Sequence, residues 1–334
     1  MIWLTWRQFR AQAWFAVGGL VILAALLAIA ANEAAAAYRD SGLATCGANC
    51  DTALRAFIDE IEGSVAGVAV VLGIGLTYLV PPLIGVFWGA PLIARELETG
   101  THRLAWNQSV TRTRWLVTKL AAIAAVSIAT TGLLSLLVTW SGSRVDEATG
   151  QRLMPLAFAA RGVVPIGYAA FAFTLGVTMG LLIRRTVPAM AATLVVYAAA
   201  VAAMPLWIRE HLLPIRRALV PLVPENINGL SIDEGNSLTV FANDDAVRGA
   251  WVLSNDTVDS TGNLFTGPAD PQYCGRAAGP DDCFGWLGSL GLRQDLRYHS
   301  LDQYWALQWT ETGIFVGLAA ALAVFCVWWT RRLT

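Results

Sequence analysis

Charge is scarce in this chain of 334 residues: 14% of them are charged, against roughly 25% in an ordinary soluble domain, while 56% are hydrophobic. That shortage excludes an ordinary soluble domain and points to a membrane protein. The local signatures of catalysis are missing too. There is no GxxxxGKS/T phosphate loop, no GxGxxG after a strand, no HExxH, no GxSxG and no pair of CxxC motifs. The chain therefore reads as a non-enzyme without a nucleotide site or cofactor of its own. His102, His211 and His299 stand far apart and out of ligand spacing, so no metal site and no catalytic residue is assigned.

What is present in quantity is uncharged sequence. A helix crossing a hydrocarbon core of about 30 Å needs roughly 20 residues with few charges, because every backbone polar group must be bonded internally. Six stretches qualify: Ala13 to Asn32, Gly63 to Ala94, Leu120 to Ser143, Gly162 to Ile183, Thr186 to Ile208 and Thr312 to Thr330. The second is too long for one straight span and contains Pro81-Pro82, so it is expected to bend there and continue as a helical piece near the surface. The first follows Arg7 and Arg10 and is long for the apolar region of a signal peptide, so it reads as an uncleaved anchor. Before it, Trp3, Trp6 and Phe9 fall at helical spacing, which predicts a helix lying in the membrane surface.

Lys and Arg favour the cytoplasmic side. With the N-terminus inside, segments 1–12, 95–119, 184–185 and 331–334 sum to +9 and the remaining loops to -10. Both termini are thus predicted inside. The expected fold is an all-α membrane protein with six transmembrane helices, an N-terminal interfacial helix and a mixed extracellular insertion between spans five and six. Its parts are 1–208, holding five spans and the inner loop 95–119; 209–311, the insertion; and 312–334, the sixth span and tail. Cys46, Cys50, Cys274 and Cys283 all fall in outer segments, where disulfides persist, and the local pairs Cys46–Cys50 and Cys274–Cys283 are expected to bridge.

The insertion opens with three prolines in LPIRRALVPLVPEN and continues through SLTVFA and GAWVLS, short β-prone runs between Asn, Asp and Gly turns. The spans contain no charged residue under these boundaries, which disfavours an ion-driven relay. Thr77, Tyr78, Thr174, Thr178 and Tyr197 give mild polarity suited to an amphiphilic or apolar passenger. Gly63/Gly67, Gly176/Gly180 and Gly313/Gly317 permit close approach of helices.

The inner loop is the one charged segment of any size on its side. Leu97, Thr101, Leu104 and Gln108 follow helical spacing, Glu96 and Glu98 sit near the favourable N-terminal end, and Ser109 or Thr111 can cap a second helix into span three. ARELETGTHRLAWNQSVTRTRWLVTKL, residues 94–120, resembles the loop after the second span in permease subunits of bacterial type-2 ABC exporters, and the six-span plan is similar too. Arg95, Glu96, Gly100, Thr101, Leu104, Ser109, Arg112 and Lys119 occupy the matching positions, with Asn107-Gln108 where many members have Pro. The resemblance implies a permease in the plasma membrane, paired with a second copy or a similar chain. It also implies a separate cytoplasmic ABC ATPase that binds ATP and Mg and drives export of a drug, antibiotic, lipid or peptide through the 95–115 element; no nucleic acid is implied. In that setting Glu96 contacts the ATPase or a neighbouring arginine such as Arg103 or Arg112. The alternative reading is a non-transporting sensor or immunity protein that binds a peptide or antibiotic through its extracellular domain.

Overall fold

The computed structural model describes residues 2–47, 50–100, 111–232, 238–242, 247, 249–275 and 279–332. The chain is mostly helical, with six helices long and apolar enough to cross a membrane, and it divides into two compact units: Met1–Leu212 with Trp305–Thr334, and Leu213–Tyr304.

Helix α1 runs unbroken from Ile2 to Asp40, and its 39 residues rise about 58 Å, nearly twice the thickness of a hydrocarbon core. The expected surface helix is therefore not a separate element: no Gly or Pro precedes Gly18, so the first turns run straight into the span. A disulfide-closed turn leads to α2 (Asp51–Ile61), whose Phe57 is buried against Ala37 and Ala148. Helix α3 (Val65–Leu83) begins at a Ser64 cap, and Glu33 of α1 accepts the Ala66 N–H at 2.9 Å.

Pro81 and Pro82 withdraw two donors inside α3, and the ladder responds with a π turn at Ile84–Gly89 before resuming as α4 (Ala90–Glu98). Span two is thus one continuous helical path with a wide turn at its middle. Helix α5 (Arg112–Ser141) starts eight residues earlier than its uncharged stretch, because Thr111 caps it and its first turns carry Arg112, Arg114 and Lys119. Two short helices follow, α6 (Ser143–Thr149) and α7 (Pro155–Ala160), and then α8 (Val164–Ile183). Arg184, in the left-handed conformation at φ 58°, turns the chain at once into α9 (Thr186–Ala203), which ends in a π turn over Met204–Ile208.

The second unit holds two small sheets. Strands β1 (Arg216–Pro221), β4 (Trp251–Val258) and β5 (Arg293–His299) form an antiparallel sheet of order β1-β5-β4, while β2 (Ile227–Ile232) pairs with β3 (Leu238–Ala242). Helix α10 (Pro280–Ser289) supplies Cys283 and Leu287 to a core with Leu222, Ile227, Val240 and Leu292. Cys274 joins Cys283 there, a covalent staple where the apolar core is small. Helix α11 (Tyr304–Arg332) completes the first unit.

Span four is the hub of the helical unit. Of its apolar window 78% is buried, against 33% or less in every other span, so α8 is the helix the others pack around. Its contact with span two is made by glycine on both sides. A Cβ on Gly176 would lie 2.2 Å from the Gly85 carbonyl oxygen, and one on Gly89 would lie 2.5 Å from that of Phe173. Gly180 meets the Ala90 carbonyl in the same way, at 2.5 Å. The Gly176/Gly180 pair is therefore used within the chain, whereas Gly313 and Gly317 of α11 have no atom within 4 Å of a built Cβ.

Candidate functional site

At one end of the helical unit, the last turn of α4 carries Arg95, Glu96 and Glu98. Glu96 pairs with Lys119 of α5, the one lysine in the sequence, which is 3% exposed and also lies 4.9 Å over the Trp115 ring. Glu98 accepts the Thr186 N–H at 3.0 Å and its hydroxyl at 2.7 Å, so it caps α9 from across the two-residue turn. Both acids of the segment thus bond to this chain's own helices, Glu96 half-buried against α5 and Glu98 exposed at the start of α9. Arg95, Arg114, Arg184 and Arg185 face outward and leave a basic surface.

Gly100 follows at φ 73°, a left-handed turn at the end of α4 that by itself explains the glycine, and no atom of the described residues lies within 4 Å of where a Cβ would stand. Arg112 opens α5, and the cap there is Thr111, whose hydroxyl accepts the Arg114 N–H at 3.3 Å. Thr101, Leu104 and Ser109, together with Arg103, lie outside the described residues. Among the described residues Glu96 pairs with Lys119, 23 residues on, while Arg103, one of the arginines expected for it, lies outside them.

The opposite end holds a polar network that the hydropathy reading missed. Arg209, just after α9, is 1% exposed, and Glu311 of α11 is fully buried. They are joined twice, at 2.8 Å and 3.1 Å, and Tyr168 of α8 donates its hydroxyl to the same carboxylate at 2.5 Å. Asp146 and Arg161 form a second buried pair on the α6–α8 connection. The fifth uncharged stretch ends at Ile208 and the sixth begins at Thr312, so Arg209 and Glu311 each stand one residue outside them. The expected insertion bounds, 209 and 311, placed both partners in the outer loop, but the compact second unit begins at Leu213 and ends at Tyr304. A window that scores residues singly cannot see two charges, 102 positions apart, that satisfy each other.

The five polar residues proposed for a path divide in two. Thr77, Thr174 and Thr178 are buried and donate to carbonyls one turn back in their own helices, at 2.8, 2.9 and 2.7 Å; they are packing groups. Tyr78 and Tyr197 line a cavity of about 330 Å³ with Pro82, Pro155, Leu194 and Ala198. The Tyr197 ring stacks on Phe171, and its hydroxyl is buried with no hydrogen-bond partner among the described residues. A second cavity of about 340 Å³ is lined mainly by apolar residues, among them Leu20, Leu76, Phe87 and Leu134, together with Trp88 and Thr130. Both expected cysteine pairs are bonded, with Cα–Cα separations of 5.9 Å and 4.6 Å. Among the described residues no cluster of His, Cys, Asp or Glu is arranged to hold a metal ion.

The family model described as ABC-2 membrane transporter related matches residues 17–209. The match takes in five of the spans, the α4 segment and the Arg209 end of the network, and it stops before the insertion. No curated protein and no solved structure matches the chain.

Proposed function

The chain belongs to the ABC-2 membrane transporter related family, and on that premise we propose that it is the permease subunit of an ABC exporter, driven through residues 95–112 by a separate cytoplasmic ATPase. The permease assembles with a second copy or a similar chain in the plasma membrane, with both termini inside. Its passenger is amphiphilic or apolar, because the two cavities offer apolar walls and, in one, the two tyrosines Tyr78 and Tyr197.

One observation supports the coupling reading: α4 is joined to three other spans at once. It is tied by Glu96 to span three and by Glu98 to span five, and its first residue, Ala90, meets Gly176 and Gly180 of span four backbone to backbone. Close-packed interiors transmit displacement instead of absorbing it. A push on the turn after Glu98 therefore reaches spans two, three, four and five, whose rearrangement against one another alternating access by helix repacking requires. ATP and Mg belong to the partner in this scheme; the permease residues bind, hold and move.

The test is co-purification of the chain with an ABC ATPase from its native membrane, followed by a screen for amphiphiles that stimulate hydrolysis in reconstituted vesicles. A stable ATPase complex with substrate-stimulated turnover supports the proposal. A chain that binds an amphiphile or peptide through its insertion but recruits no ATPase supports the sensor reading instead.

A further inference from the structure

Helix α7 has only six residues, Pro155–Ala160. The last four carbonyls of any helix lack an i+4 partner, and here they include that of Phe158, while those of Pro155 and Leu156 in the first turn also accept from outside. Here the outside partners are side chains of three different spans. Arg209, after span five, donates Nη1 to the Pro155 oxygen at 3.1 Å. Tyr78 of span two donates its hydroxyl to the Leu156 oxygen at 3.1 Å. Gln308 of span six donates Nε2 to the Phe158 oxygen at 2.8 Å.

Each of these donors is itself held. Arg209 is fixed by Glu311 and lies 4.6 Å over the Phe158 ring. The Gln308 carbonyl accepts the Val163 and Val164 N–H groups at 2.9 and 3.1 Å, which caps the start of span four. Gly162, beside them, donates its N–H to Thr139 and accepts from Ser135, both on span three. The seat of α7 is therefore assembled from spans two, three, four, five and six at one particular spacing. The same helix supplies Pro155 and Leu156 to the wall of the cavity that Tyr78, Tyr197 and Ala198 line.

We propose that α7 is a gate at the insertion end of this cavity, latched by Tyr78, Arg209 and Gln308, and that it lifts when spans two and five part. The proposal rests on the transport reading above. Its geometry explains why a buried ion pair is kept at this depth: the Arg209 guanidinium needs a fixed counter-charge to reach a carbonyl on another element, and Glu311 supplies it. Arg209 and Gln308 also stand within a few residues of the two chain junctions of the second unit, at Leu213 and Tyr304.

The experiment uses the full chain with its disulfides intact and Cys326→Ser, reconstituted in lipid vesicles without any ATPase. Ala198→Cys places a thiol in the cavity wall, and Ala16→Cys places one in the other cavity as a control. Labelling by a water-soluble maleimide added on the insertion side is followed in time. Removing two latches with Tyr78→Phe/Gln308→Leu is expected to speed labelling at position 198 about tenfold, the effect of losing one to two hydrogen bonds on a two-state closure, and to leave position 16 unchanged. Should that double variant fail to insert, Arg209→Lys alone decides, since it keeps the charge and loses the guanidinium fork. An unchanged rate at position 198 overturns the gate, and so does equal acceleration at both positions, which reports general loosening. Neither outcome depends on ATPase recruitment, so the gate and the transport reading fail separately.

Discussion

A side chain on Gly176 would sit 2.2 Å from the carbonyl oxygen of Gly85, so spans two and four touch through bare backbone where the π turn of span two passes the central helix. Gly176→Leu should therefore destabilise the helical unit, at the upper end of the about 1–3 kcal/mol typical of overpacking, because the obstructing atom is backbone and cannot rotate away. Gly317→Leu, with open space around it, should be neutral in the isolated chain. Thermal unfolding of the two variants in the same detergent separates them, and equal melting temperatures would show that the glycine contact is not the close one described.

Lys119 is the chain's only lysine, which makes its burial directly measurable. An amine-selective reagent should modify Lys119 slowly in the folded protein and quickly after denaturation. Glu96→Ala should expose Lys119 to the reagent and cost about 3 kcal/mol, the effect of leaving a buried charge without its partner. Lys119→Met in the Glu96→Gln background should recover most of that loss. Rapid modification of Lys119 in the parent protein would exclude the buried pair.

The Cys274–Cys283 bridge should stabilise the second unit by about 2–3 kcal/mol, mainly by restricting the unfolded chain over a sequence separation of nine. Cys274→Ser/Cys283→Ser is expected to lower its unfolding midpoint accordingly, without altering the membrane insertion of the first unit. Peptide mass mapping without reductant that recovers both thiols free would reject the bridge.

The charge split and the placement of four cysteines predict which side each loop occupies. Single thiols introduced as Ser109→Cys and Ser260→Cys should react with an impermeant reagent from opposite faces of an intact membrane. Reaction from the same face contradicts the six-span arrangement.

Much of this architecture is legible in the sequence, because membrane helices are written in runs of single residues. Each of the six uncharged stretches matches a membrane-length helix and overruns it by at most two residues, and SLTVFA and GAWVLS overlap β3 and β4. What was not legible depends on pairs. Three glycine pairs at the same spacing were visible, but only the fold shows that Gly176 and Gly180 face Gly85, Gly89 and Ala90, while Gly313 and Gly317 face open space. Glu96 and Lys119 both stand in the recognisable loop, yet their pairing requires α4 and α5 to lie side by side. Arg209 and Glu311 were hidden for the opposite reason. Their charge marked them as loop residues, and only mutual neutralisation makes burial possible.

In the proposed scheme an ATPase drives this permease through residues 95–112, the last turn of α4 and the segment that follows it. Arg95→Glu reverses an exposed charge on that element, and Leu104→Asp places a charge where the coupling reading puts an apolar contact. The decisive measurement is substrate-stimulated ATP hydrolysis by the cognate ATPase, reconstituted with each variant in lipid vesicles and normalised to inserted permease. The account predicts that both variants insert, keep Lys119 protected from amine reagent, and lose stimulation by about tenfold or more, as expected for a charge forced into a packed contact. If both bind and stimulate the ATPase like the parent, residues 95–112 do not couple the two proteins.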